Sequence, residues 1–125
     1  MKLHHLGIQV KDINKSIKFY VDILGFLIKK PKTQEGIYTY IYLVHGDSEV
    51  QLELFQIKDE KPQKIEKLSS NPHFAFESFN LDKDLQEVKS KGVQIDGPHE
   101  IPHDIRYFTI LDPDHYRIDI GQLLK

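Results

Sequence analysis

Two tandem βαβββ modules, and hence an α+β fold, are what this sequence predicts. Three observations carry the prediction. A strand, an amphipathic helix, a glycine stop and further strands follow one another twice along the chain. Matching residues of the two halves lie at a nearly constant offset: His5 and His73 are 68 apart, Asp12 and Asn80 68, Gly25 and Gly92 67, Glu53 and Asp119 66. A fixed offset is harder to reach by chance than a similar composition, so the chain reads as an internal duplication. Finally, 125 residues leave room for one domain of two half-size modules and exclude a multidomain enzyme.

Residues 3–10 alternate as a strand, with His5, Gly7 and Gln9 on one face and Leu6, Ile8 and Val10 on the other. Asp12 then offers an N-cap, and Ile13, Ile17, Tyr20 and Leu24 recur at helical spacing until Gly25 stops the pattern. Residues 26–28 form a short apolar run ended by Lys-Lys-Pro. Residues 37–44 and 50–57 read as a hairpin across the turn His45-Gly46-Asp47-Ser48, closing a first module at about residue 58. The stretch 59–72 is polar and contains two prolines, Pro62 and Pro72, and residues 59–71 read as a linker with at most one helical turn at 65–68. The second module, residues 72–125, repeats the order. A strand at 73–79 leads to a cap at Asn80 or Asp82, a helix carrying Leu85 and Val88, and a stop at Gly92. A strand at 93–95, a Gly-Pro loop and two strands at 106–111 and 116–120 follow, the last two joined by Asp112-Pro113-Asp114-His115.

Composition narrows the function. Hydrophobic residues make up 39% and charged residues 29%, which supports a packed core and excludes the regime of disorder. The formal net charge of −2 comes without long blocks of like charge, so no nucleic-acid or anionic-membrane surface is expected. No apolar run approaches the roughly 20 residues that span a bilayer, and a cytoplasmic protein is expected. Absence of cysteine excludes disulfides, thiolate metal sites, iron–sulfur clusters and a cysteine nucleophile. Any metal must be held by nitrogen and oxygen.

Each module begins with a histidine on its first strand and ends with a carboxylate on its last: His5 and Glu53, His73 and Asp119. Val50, Leu52 and Leu54 flank Glu53, and Ile118 and Ile120 flank Asp119, so by period-two alternation the aliphatics share one face and the acid looks the other way. A strand acid among aliphatics is also what a solvent-facing position looks like, and a lone histidine near a strand start is commonly a surface residue. The coincidence of all four at matched offsets is what points to a metal. Imidazole and carboxylate without thiolate suit a divalent cation such as Zn, Ni, Co, Fe or Mn.

The run His5-Leu-Gly-Ile-Gln-Val-Lys-Asp-Ile-Asn-Lys-Ser-Ile-Lys-Phe-Tyr-Val-Asp-Ile-Leu-Gly-Phe, with Leu111-Asp-Pro-Asp-His-Tyr-Arg-Ile-Asp-Ile near the C-terminus, resembles the vicinal oxygen chelate superfamily. That superfamily holds glyoxalase I, methylmalonyl-CoA epimerase, extradiol dioxygenases, fosfomycin-resistance transferases and bleomycin-binding proteins. The resemblance implies modules whose mixed sheets curl into a cup around a metal, with helices outside. It places the ligands on His5, Glu53, His73 and Asp119, the same four that the offsets select. A complete quartet is most similar to glyoxalase I.

That similarity implies one divalent metal per site, with Ni, Zn, Co or Mn ahead of Fe. The metal's Lewis acidity stabilises an ene-diolate, while Asp119 or Glu53 removes a proton beside a carbonyl and returns it to the neighbouring carbon. The substrate is then a small oxygenated molecule. Against the glyoxalase pattern, Asp119 stands where glutamate is usual and Gln9 where an arginine holds the glutathione carboxylate. Ile57 stands near an expected side-chain amide, and His115 takes the place of a turn glycine. The alternative reading is a metal-free binding or resistance protein of the bleomycin-binding type; a coenzyme A thioester epimerase or an extradiol dioxygenase comes third. Arg106, His103 and Tyr40 are the candidate substrate contacts, His103 and His99 lying in a loop at 97–104. Tyr38, Tyr40 and Tyr42 share one strand face, either in a cavity or at an interface. His4 is expected on the strand side opposite His5. Sheet edges and the tyrosine face lead to the expectation of a homodimer.

Overall fold

Asp12 and Asn80 open the two helices in the same way: the side-chain oxygen of each accepts from the amide three residues on, Lys15 or Lys83, at 3.2 Å. In a computed structural model, which describes residues 1–62 and 73–124, these helices belong to two units, residues 1–64 and residues 65–125. The first unit runs β1 (His5–Gln9), α1 (Ile13–Lys18), a π-helical turn (Phe19–Ile23), β2 (Leu27–Glu35), β3 (Tyr38–Val44) and β4 (Gln51–Ile57). The second runs β5 (His73–Glu77), α2 (Leu81–Ser90), β6 (Asp96–Ile101), β7 (Ile105–Leu111) and β8 (Arg117–Leu123). The α+β fold of two βαβββ modules is therefore as the sequence predicts.

Each unit holds one four-stranded sheet of the same topology, β1-β4-β3-β2 and β5-β8-β7-β6. The first and last strands of a unit pair in parallel and the remaining pairs are antiparallel. Alternation sorts the side chains. In the first unit Ile8, Val10, Ile41, Leu43, Leu52 and Leu54 are buried with Ile13, Phe19 and Tyr20 of the helical segment. In the second, Phe108, Ile110, Ile118 and Ile120 are buried with Leu81 and Val88 of α2. Truncating one such side chain, for example Leu54→Ala, costs about 2–5 kcal/mol.

A second matched device ties each helix to its sheet. The first helical amide donates to a glutamine of the last strand: Ile13 to Gln56 Oε1 and Leu81 to Gln122 Oε1, both at 2.9 Å. One of the donors that a helix start leaves without an intrahelical partner is thereby satisfied from the sheet. Gly25 and Gly92 end the helical segments at φ of +77° and +80°, where a side chain would be strained.

The structure departs from the sequence reading at several elements. The first helix does not keep its 3.6-residue period; the π turn adds a residue and buries Phe19 and Tyr20 side by side, leaving Leu24 half-buried. β2 runs nine residues through Pro31 because register shifts between Ile28 and Thr33 absorb it at a sheet edge. Residues 93–95 are not a strand, and the expected Gly-Pro loop is β6, a shifted edge strand paired with β7. The predicted helical turn at 65–68 lies outside the described residues. No helix among the described residues is long and apolar enough to cross a membrane.

Candidate functional site

The parallel pairing of β1 with β4 sets His5 opposite Gln51 and Gly7 opposite Glu53, while Tyr42 of β3 faces Glu53 from the other side. The same lattice recurs in the second unit. There His73 lies opposite Arg117, Ala75 opposite Asp119, and Thr109 of β7 also opposite Asp119. In each unit a diagonal across two strands brings imidazole to carboxylate. His5 Nε2 is 3.9 Å from Glu53 Oε1, and His73 Nε2 is 3.8 Å from Asp119 Oδ2. Both carboxylates are largely buried, while the imidazoles are more open.

Among the described residues no group of three or more His, Cys, Asp or Glu side chains gathers to hold a metal, and each unit offers one imidazole–carboxylate pair, a candidate two-donor half-site. The donor chemistry fits a divalent cation. Separations of 3.9 and 3.8 Å are too long for a hydrogen bond. They are shorter than twice a metal–ligand distance of about 2.0–2.2 Å, so one ion can reach both atoms of a pair.

Neighbouring groups orient the half-sites. In the first, Tyr42 faces Glu53; burial, then interaction of its hydroxyl with the Glu53 carboxylate and the negative charge, push the phenol above its ordinary value. His5 Nδ1 lies 2.8 Å from His4 Nδ1, which leaves Nε2 as the atom directed at Glu53. The His5 ring also meets Tyr42 edge-on, with centroids 5.0 Å apart. His4 is therefore not turned away from His5, as alternation suggested. β1 begins at His5, so the period of two does not reach residue 4, and the His4 ring packs against both His5 and Tyr42.

In the second half-site Thr109 Oγ1 donates to Asp119 Oδ1 at 2.6 Å and Arg117 Nε donates to the same oxygen at 2.9 Å. Oδ2 is left facing His73. The hydrogen bond to Asp119 is the main cause holding the Arg117 guanidinium above its ordinary range. The two acids also differ in the floor beneath them. A β-carbon added at Gly7 would meet Glu53 Oε1 at 2.9 Å, so the longer acid folds over a glycine. The shorter Asp119 lies opposite Ala75, which already carries that carbon.

Tyr40 shares the face of Tyr42, its ring 5.8 Å away. Its hydroxyl accepts from Lys30 Nζ at 2.9 Å and donates to Glu35 at 3.1 Å. His103 occupies the exposed turn between β6 and β7 at φ +65°. Arg106 falls on the face of β7 that carries Phe108 and Ile110, and its Nη1 donates to Asp82 of α2 at 2.9 Å. His115 does take the left-handed backbone expected of a turn glycine, at φ +68°. Sequence reasoning missed Thr109 and Arg117. Their signals were present: Thr109 lies 67 residues after Tyr42, and Arg117 stands two before Asp119, hence on its face. Thr109 is also in the wall of a cavity of about 540 Å³ between residues 93–96 and 109–112, a size suited to a small molecule.

Comparison with known proteins agrees with this architecture. The family model described as Glyoxalase/Bleomycin resistance protein/Dioxygenase superfamily matches residues 2–120. The uncharacterized protein YwkD of Bacillus subtilis is 30% identical over 94% of each chain. A lactoylglutathione lyase of Haemophilus influenzae is 28% identical over 95% of this chain and 90% of its own. Among solved structures, TnmS3, an antibiotic binding protein from Streptomyces sp. CB03234, shares the fold with a TM-score of 0.80 at 21% identity, over 98% of this chain and 96% of its own.

Proposed function

The chain belongs to the Glyoxalase/Bleomycin resistance protein/Dioxygenase superfamily, and within it we propose a divalent-metal-dependent, glyoxalase-like lyase or isomerase that moves a proton on a small oxygenated substrate. One observation carries the reading: two imidazole–carboxylate pairs, at equivalent register and nearly equal separation, in two units of the same topology. The lactoylglutathione lyase relatives support it at the level of family chemistry.

His5, Glu53, His73 and Asp119 would hold the ion, Ni, Zn, Co or Mn ahead of Fe, with the half-sites combining within a chain or across a homodimer. When bound, such an ion supplies Lewis acidity toward two adjacent substrate oxygens. Glu53 or Asp119 takes the proton from the carbon beside a carbonyl and returns it to the neighbouring carbon. Thr109 holds the Asp119 carboxylate by donating to it, Tyr42 flanks that of Glu53, and His4 fixes the ring of His5. Gln9 and Ile57 do not supply the arginine and amide that a glutathione pocket uses, so the proposed substrate class is oxygenated small molecules at large.

The test is elemental analysis of untagged protein purified without chelator, beside His73→Ala. About one Ni, Zn, Co or Mn per site in the wild type, lost from the variant, supports the reading and directs assays to hemithioacetals and epimerisable thioesters. Iron at that level turns the assays to catechols. A wild type without metal after reconstitution leaves the second reading, a metal-free binding protein, which the edge-on ring cluster of His4, His5, Tyr42 and Tyr40 and the cavity beside Thr109 favour.

A further inference from the structure

We propose that Arg117 is a specificity-determining residue that receives a carboxylate of the substrate, which makes the substrate a small hydroxy or oxo acid; this rests on the metal-centred reading above. Arg117 and Asp119 share one face of β8, and His73 lies across from Arg117 on β5. The guanidinium therefore stands in the half-site itself, whereas Arg106 is engaged by a helix carboxylate.

The hydrogen bonding of Arg117 is one-sided. Its Nε–H goes to Asp119 Oδ1, and among the described residues its terminal Nη groups make no hydrogen bond. The side chain is 27% exposed and its Nη atoms are not buried, so that edge is open to a ligand. A planar guanidinium with its terminal edge unspent matches the two oxygens of a carboxylate. Thr109 and Arg117 together occupy Asp119 Oδ1, so a ligand on the Nη edge does not compete for the atom directed at His73.

Charge selects the same class. In the four-ligand centre proposed above, Glu53 and Asp119 would cancel a divalent ion and Arg117 would leave one positive charge over, which a monoanionic carboxylate balances and a neutral aldehyde does not. The duplicated position in the first unit is Gln51, also opposite a histidine, so the cation is a property of one half-site and gives the centre a direction.

Pyruvate and pyruvamide are nearly isosteric and differ by the charge in question. Titrating both into the metal-loaded protein by calorimetry, with metal content measured in parallel, tests the assignment. The wild type is expected to bind pyruvate at least tenfold more tightly. Arg117→Gln, which copies Gln51, is expected to bring that ratio near one with metal retained, and Arg117→Lys to keep part of it. A wild-type ratio near one with metal present, or a ratio unchanged in Arg117→Gln, overturns the assignment alone. Loss of metal from Arg117→Gln also overturns it, since Arg117 would then serve only to hold Asp119. A wild type that takes up no metal removes the parent reading and this one with it.

Discussion

Gly7 and Glu53 share one cross-strand position, and the carboxylate of the acid fills the volume that a side chain at residue 7 would need. The clash is with the end of a flexible side chain, so Gly7→Ala should leave the fold standing and move the carboxylate instead. Its expected effect is a fall in metal affinity of about tenfold or more, comparable to losing an orienting partner, with little change in thermal midpoint. Metal titration against a competing chelator reads the first, and calorimetric melting the second.

The reverse holds in the second unit, where the acid is shorter and its floor is Ala75. Asp119→Glu alone is expected to weaken metal binding, and Ala75→Gly with Asp119→Glu to restore it. Restoration by the double variant and not by Ala75→Gly alone is the diagnostic result; equal affinities in all four proteins would show that the floor does not set the length of the acid.

Thr109 is buried and donates to Asp119 Oδ1. Thr109→Val keeps the shape and removes the donor, so the carboxylate loses one of its two orienting bonds. A loss of about 10–100-fold in metal affinity is expected, with a stability cost of about 1–3 kcal/mol for the acceptor left short of a partner. Denaturant unfolding and metal titration separate the two effects.

Tyr42 supplies a pH signature. Its phenol is raised above the ordinary value of about 10, first by burial and then by Glu53. A group whose folded value is raised contributes stability that is fully present below about pH 10 and is lost as pH climbs through the raised value. In a phenolate absorbance titration of metal-free protein, Tyr42→Phe should remove a late-titrating component. Glu53→Gln should lower that component only partway, because burial is the larger cause.

Arg106 and Asp82 form an ion pair over the start of α2, and the Asp82 side chain is 77% exposed. Screening by water limits such a pair to at most about 1 kcal/mol. Arg106→Ala is expected to change melting slightly and metal content not at all, in contrast to Arg117→Gln, whose effect lies in ligand discrimination. A large loss of ligand binding in Arg106→Ala would instead assign that residue to the substrate, as its sequence position suggests.

Much of this arrangement was legible in the chain. The two caps, the strands at 5–9, 38–44, 51–57 and 105–111, and the facing of Glu53 and Asp119 follow from local period and offset, since each depends on neighbours a few residues away. What escaped depends on exceptions to period. The π turn shifts the buried face by one residue, bulges carry β2 past Pro31, and His4 lies just before the strand that would have dictated its direction. Gln56 and Gln122 escaped for another reason: on the helix-facing side of a strand a glutamine looks like an error of patterning until the amide it accepts from is in place. Tyr42 and Thr109 do the same work with unlike side chains, so similarity of residues could not pair them although the offset does.

The parallel closure of each sheet has a kinetic side. His5 precedes Glu53 by 48 residues and His73 precedes Asp119 by 46, so each imidazole meets its carboxylate through the longest-range strand pairing in its unit. Contacts of high sequence separation need the largest loop to close and slow folding accordingly. The hairpins β3–β4 and β7–β8 can assemble from neighbouring chain, but the first strand can dock only onto a last strand already synthesised. On the ribosome, a nascent chain therefore carries a histidine without its carboxylate neighbour until most of its module has emerged, and the imidazole–carboxylate contact becomes a report that the sheet has closed.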